Sequence, residues 1–282
     1  MSKRFRPLTA AASALVAVGA LALPGAAGAA SSLPTLTVAL QGVNGVSVSG
    51  STVSGAVNVV STFSGKAPSG PNSNGPSFGL VRLDPGVSLQ QADNAVVSHH
   101  GDLDALTPYG TLFVSQSAPS TLQTVLTPGN YVAVNETGNG QPGFAQFTVT
   151  QSSAPAALPA AKATETAIEF GFRGPAVLHN HTIVRAVNGG YLVHMNELIG
   201  VPNANTGRLV MSLLRAGKDN QAMKLLGRNP AFVSLMGPGS PGAMQQEVLN
   251  TKPGYYVQAC FMDTQDGREH TQVGMERLVR VV

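Results

Sequence analysis

Apolar positions recur mostly every second residue in short runs, as in Leu36-Thr37-Val38-Ala39-Leu40 and Val46-Ser47-Val48. Gly, Ser, Asn and Pro separate these runs, which is the signature of half-buried strands joined by turns. The helical period appears twice. Ser88 and Gln91 are spaced for a capping box, with Ala92, Ala95 and Val96 inward and Gly101 as the stop. Further on, Leu209, Val210, Leu213 and Leu214 form one apolar stripe before Gly217, and Ala222, Leu225 and Leu226 form another. Both helical stretches read as core-facing surface helices.

The pattern is duplicated. Thr127-Pro128-Gly129-Asn130-Tyr131-Val132-Ala133-Val134 matches Lys252-Pro253-Gly254-Tyr255-Tyr256-Val257-Gln258-Ala259. Each match is followed by a terminal strand, Gly143 to Val149 in one and Gly274 to Val281 in the other, and preceded by a helical segment. Residues 151–164, rich in Ala, Ser and Pro, read as a linker between modules at 31–150 and 165–282. The chain is thus expected to be all-β: two tandem Greek-key sandwiches of antiparallel strands, each with a short helical insertion. A length of 282 residues suits two such modules.

Composition sharpens this reading. Charged residues make up only 11% of the chain, which argues against long solvated helices and coiled coils. The excess of positive charge lies at one place: Lys3, Arg4 and Arg6 precede an uncharged run from Leu8 to Leu23, followed by Ala26-Ala27-Gly28-Ala29-Ala30. These are the three regions of a secretory signal peptide, residues 1–30, and the apolar run is shorter than a bilayer span. Its removal leaves 14 basic and 14 acidic side chains. A near-neutral mature chain has no basic surface for nucleic acid and no segment for membrane insertion, and it is expected outside the cytoplasm. Residues 31–155 set Lys66 and Arg82 against five acids, whereas residues 156–282 carry twelve basic and nine acidic groups, so the halves differ in surface charge.

Candidate chemistry centres on the single cysteine. Cys260 cannot form an internal disulfide, which leaves a buried small hydrophobe, a metal thiolate, an intermolecular disulfide or a reactive thiol. Alternation places Tyr256, Gln258 and Cys260 on one side of their strand. Asp266-Gly267 is a turn signal that brings His270 and Met275 back toward the thiol. A second imidazole from a distant strand would complete a His₂Cys site with a weak axial Met, a donor set that selects copper. Six histidines are too few for a His-rich trinuclear cluster, and phosphate-loop and zincin patterns are absent. His179 and His181, two apart on an expected strand, form another candidate chelating pair, and His99 and His100 are expected to cap the first helix.

These residues resemble the cupredoxins, in particular plastocyanin-like blue copper proteins. Pro253-Gly254-x-Tyr256-x-x-x-Cys260 is similar to the strand carrying the family's copper thiolate. His270 with Gly274-Met275 resembles its second imidazole and axial thioether, and Asn188-Gly189-Gly190-Tyr191-Leu192-Val193-His194 the turn leading to its first imidazole. The resemblance implies one copper held by His194, Cys260, His270 and Met275, and an electron carrier or binding protein rather than an enzyme. It covers the second module. In the first, Asn135 falls at the thiolate position and Phe144 at the axial position, so a metal-free copy is expected. The alternative is a metal-free secreted β-sandwich for binding or envelope structure, with Cys260 as a core or regulatory thiol. No motif names a redox partner or an oligomeric state.

Overall fold

A computed structural model describes residues 33–67, 75–138, 141–227 and 229–282. The segment read as a signal peptide lies outside the described residues. The first half contains β1 (Thr35–Gln41), β2 (Gly45–Gly50), β3 (Gly55–Ser64), β4 (Ser77–Leu83), α1 (Leu89–Ser98), β5 (Gly110–Ser117), β6 (Ser120–Leu126), β7 (Gly129–Asn135) and β8 (Gly143–Val149). The second contains β9 (Ala163–Ile168), β10 (Gly171–Arg173), β11 (Val177–Leu178), β12 (Ile183–Asn188), β13 (His194–Val201), α2 (Ala204–Arg215), α3 (Asp219–Lys224), β14 (Phe232–Gly239), β15 (Met244–Val248), β16 (Gly254–Ala259) and β17 (Glu276–Val281). The fold is all-β, as the alternating pattern predicts.

The duplication is visible in the strand order. One layer of the first half runs β6-β3-β1-β2 and its counterpart in the second runs β15-β12-β9-β10; the other layers run β5-β4-β7-β8 and β14-β13-β16-β17, with β11 added at the edge. Both copies fix the entry to β7 or β16 in the same way. The Tyr131 hydroxyl donates to the Thr127 carbonyl at 3.0 Å, and the Tyr256 hydroxyl to the Lys252 carbonyl at 2.5 Å. These tyrosines account for the Pro-Gly-x-Tyr signature: the ring fills the core while the hydroxyl satisfies a turn carbonyl. One apolar cluster fills the space between the layers of each half, around Leu36, Phe78 and Tyr131 in the first and Val184, Leu198 and Tyr256 in the second. The helical insertions cover the outer face of β4, β5 and β7, and of β13 and β16, so these strands are buried on both sides.

Three expectations are corrected. Strand pairing is mixed: β1 pairs in parallel with β3, β9 with β12, and β11 with β17, because each chain returns to its sheet by a crossover instead of a hairpin. The segment read as a spacer is bound along the sheet, with the Ala56 amide donating to the Ala156 carbonyl at 2.9 Å and the Gln246 side chain to the Pro159 carbonyl at 3.1 Å. Its last residues belong to β9. Finally, the halves share structure beyond the linker. β6 and β15 pair through Gln123 and Gln246, which makes the first layers one eight-stranded sheet. In the second layer, Leu112 and Ser240 exchange hydrogen bonds at 3.0 Å, and Gln116 donates to the Ser234 carbonyl at 2.9 Å, joining β5 to β14.

Local expectations fare variously. The Ser88–Gln91 capping box forms, and Gly101 ends the turn after α1 in a left-handed conformation. On α2, Val210 and Leu214 are buried but Leu209 is half-exposed, since the face that meets β13 and β16 is centred on Gly207, Val210 and Leu214. No helix among the described residues is long and apolar enough to cross a membrane.

Candidate metal centre

Three chain segments converge at one end of the second half. The first is the turn that leads into β13. Asn188 holds it closed: its amide donates to the Leu192 carbonyl at 2.7 Å and to the Gly239 carbonyl at 2.8 Å, while its oxygen accepts the Gly190 N–H at 2.9 Å. Gly190 is required by close approach, because a Cβ there would lie 2.5 Å from a Glu169 carboxylate oxygen and 2.7 Å from His194 Nε2. Glu169 accepts the N–H groups of Tyr191 and Leu192. The turn delivers His194 to the first position of β13, fully buried.

The second segment is β16, whose alternation sends Tyr256, Gln258 and then Cys260 into the interior as expected. The third is the return loop. The Thr264 amide donates to the Arg268 carbonyl at 2.7 Å around the Asp266-Gly267 turn, the His270 amide to the Met262 carbonyl at 2.7 Å, and the Met275 amide to the His270 carbonyl at 2.9 Å. The Cys260 amide donates to the Met275 carbonyl at 3.2 Å. Backbone bonds therefore set His270 and Met275 beside Cys260, although nine residues separate Cys260 from His270.

The side chains meet with a consistent orientation. His270 Nδ1 lies 3.3 Å and His194 Nδ1 3.9 Å from Cys260 Sγ, and the two Nδ1 atoms are 3.1 Å apart. All three donors lie within 4.8 Å of one another and are buried. Met275, also fully buried, belongs to the apolar cluster that encloses Cys260 together with Ala167, Val193 and Met262. The Met195 amide donates to Cys260 Sγ at 3.3 Å. Phe170 packs edge-on to the His270 ring at 5.3 Å.

The electrostatics follow from burial. Desolvation pushes the Cys260 thiol up to about 12 against the opposing pull of the Met195 and Met262 amides. Burial, reinforced by the neighbouring His194, lowers His270 to about 4, and burial likewise lowers His194, opposed by Glu169. Both imidazoles are therefore neutral at pH 7, with lone pairs available. The outward Nε2 atoms of both rings are buried without a hydrogen-bond partner, His194 Nε2 standing 3.6 Å from Glu169 Oε1. Two neutral imidazoles and a thiol facing one another fit a soft, trigonally held cation far better than they fit each other.

The other histidines do not join this group. His179 follows β11, and His181 sits in a left-handed turn where the Thr182 hydroxyl donates to the His179 carbonyl at 2.7 Å. A turn in place of the expected strand removes the shared face that chelation would need. His99 Nδ1 contacts the Ala95 carbonyl at 2.8 Å, the helix-capping position expected of it. In the first half, Asn135 fills the position equivalent to Cys260 and is fully hydrogen-bonded within that half.

Sequence reasoning missed Glu169, Phe170, Leu103 and Asp104 around the site. Leu103 packs onto the Cys260 cluster, and Asp104 accepts the Val193 N–H at 2.6 Å. Nothing in their local pattern ties them to the site: Asp104 meets Val193 across 89 positions, and Glu169 meets Tyr191 across 22.

No family model and no curated protein matches this chain. Among solved structures it is similar to reduced auracyanin from Roseiflexus castenholzii, at 16% identity over 42% of this chain and 94% of that one, with a TM-score of 0.27. A multicopper oxidase aligns at 11% identity over 88% of each chain, with a TM-score of 0.24. The copper-containing nitrite reductase from Thermus scotoductus aligns at 12% identity over 88% of this chain and 61% of that one, with a TM-score of 0.23.

Proposed function

We propose that the chain is a secreted, cupredoxin-like copper protein whose second half holds one copper ion and passes single electrons. The observation that carries this reading is the convergence of His194 Nδ1, His270 Nδ1 and Cys260 Sγ, all from buried residues. Met275 is the weak fourth donor. Copper bound there supplies a one-electron redox couple. The protein's own residues do the rest: the Met195 amide steadies the sulfur, the apolar cluster around Met262 and Met275 excludes water, and the backbone-tied return loop holds His270 in place before any ion arrives. Such preorganisation suits electron transfer, in which ligands should move little between oxidation states. The amino-terminal basic and apolar regions support export, and the first half, with Asn135 and Phe144 at the ligand positions, serves as a metal-free partner domain.

Copper titration of the protein lacking residues 1–30 tests the reading. Stoichiometric uptake with an intense thiolate-to-copper absorption is expected, and Cys260→Ser should abolish the colour while remaining folded. Absence of stoichiometric uptake would favour the metal-free sandwich with Cys260 as a core thiol. Equal uptake by Cys260→Ser would place the metal elsewhere.

A further inference from the structure

The ligand turn is held on one side by its own half and on the other by the first half. Leu103 and Asp104 belong to a short helical turn, Leu103–Leu106, that follows α1 and is capped by Asp102, whose side chain accepts the Asp104 N–H at 2.9 Å. Asp104 Oδ1 then accepts the N–H of Val193, the residue before His194, at 2.6 Å. A carboxylate bonded to a buried amide is a strong and directional tether. Leu103 packs both against the α1 cluster of the first half and against the cluster of Val193, Cys260, Met262 and Met275. The seam between halves runs directly behind the site: Ser240, bonded to Leu112, adjoins Gly239, whose carbonyl receives Asn188 of the ligand turn.

We infer that the metal-free first half is a working part of the centre: Asp104 is a positioning residue that fixes the backbone entering His194, and Leu103 closes the apolar wall over Cys260 and Met275. This rests on the copper reading given above. The physical reason is tolerance. A ligand set holds its ion tightly only when each donor stays within roughly 0.5 Å of its place. His194 begins its strand, so its position depends on the turn before it. Asn188 and Glu169 hold that turn as far as Leu192, and Asp104 holds Val193, the residue directly before the ligand. The first copy thereby adds, at Val193, the last hold on the turn to those the second copy supplies up to Leu192.

The test compares full-length wild type with Asp104→Ala, Asp104→Asn and Leu103→Ala. Asp104→Ala should speed copper dissociation by roughly ten- to a hundredfold, the range for loss of a residue that orients a metal ligand, and should shift the thiolate-to-copper band and the reduction potential. Asp104→Asn keeps an oxygen that can accept the Val193 N–H and should restore all three to near wild-type values. In the metal-free proteins, Leu103→Ala and Asp104→Ala should raise the rate at which an aromatic disulfide reagent modifies Cys260, by about tenfold or more if the wall is the main barrier to local opening. Unchanged dissociation, band and thiol reactivity in Asp104→Ala would overturn the inference, as would failure of Asp104→Asn to restore them. Should wild type take up no copper, the function proposed above falls, and the thiol-modification rates in metal-free protein still decide whether Leu103 and Asp104 close the site.

Discussion

Glu197 lies on β13 three residues beyond His194, and Ser234 donates its hydroxyl to the Glu197 carboxyl at 2.5 Å. Burial, opposed by that bond and reinforced by Glu247, pushes this carboxyl from 4.5 up to about 8. The folded protein therefore keeps a proton that the unfolded chain releases above 4.5. Because the native state binds more protons across this window, stability is fully present below the unfolded value and is lost as pH rises toward 8. At 1.36 kcal/mol per pH unit the whole interval is worth at most about 5 kcal/mol, of which about 4 kcal/mol falls between pH 5 and pH 9. Glu197→Gln cannot ionise and keeps an oxygen for Ser234. Urea unfolding of metal-free protein at pH 5, 7 and 9 should show wild type losing stability more steeply than the variant, by about 4 kcal/mol over that range. Glu136, raised by burial to about 7 and without influence on Glu197, adds a decline common to both proteins. Parallel pH profiles for wild type and variant would refute the argument.

Two further substitutions probe the frame around the site. Asn135→Ala removes two bonds donated to the carbonyls of Gly42 and Gly45 and one accepted from the Thr137 amide, and should destabilise the chain by about 3 kcal/mol in chemical denaturation without altering copper uptake. Gly207→Ala would bring a Cβ to 2.5 Å from Leu278 Cδ1 and 3.3 Å from Val201 Cγ2, so Leu278 must change rotamer or α2 must shift, at a cost of about 1–3 kcal/mol read as a lowered melting temperature.

The parts of the molecule legible in the sequence are those governed by local rules. Alternation located Leu36, Val38 and Leu40 on the buried face of β1, and the Pro-Gly-x-Tyr corners exposed the duplication because each tyrosine performs the same task in the same place. Cys260 and His270 were legible as neighbours because a turn signal lies between them. What stayed hidden depends on long-range packing. The pairing of β6 with β15 is marked only by Gln123 and Gln246, polar residues that look like any solvated strand position, yet their side chains bond at 2.9 Å within one sheet. His179 and His181 misled because Asn180, not a strand neighbour, decides the backbone there: it spans to the Thr251 carbonyl at 2.7 Å and accepts the Thr251 amide, locking a turn.

Asn135 and Cys260 occupy the same point of the duplicated topology, and their surroundings differ in a way that packing alone does not explain. Asn135 donates twice and accepts once, so its burial carries little desolvation cost. At the corresponding end of the second half lie a thiol and two imidazoles, with neither buried Nε2 hydrogen-bonded and that of His194 3.6 Å from Glu169. A site shaped only for stability would replace such groups with apolar side chains or give each a partner, as the first half has done. The second half instead gathers three metal-ligating atoms within 4.8 Å of one another, beside a turn braced from outside by Asp104. That expenditure makes physical sense where a ligand answers the lone pairs. The two halves share one eight-stranded sheet and meet again where β5 contacts β14, so the first half is placed to brace that turn.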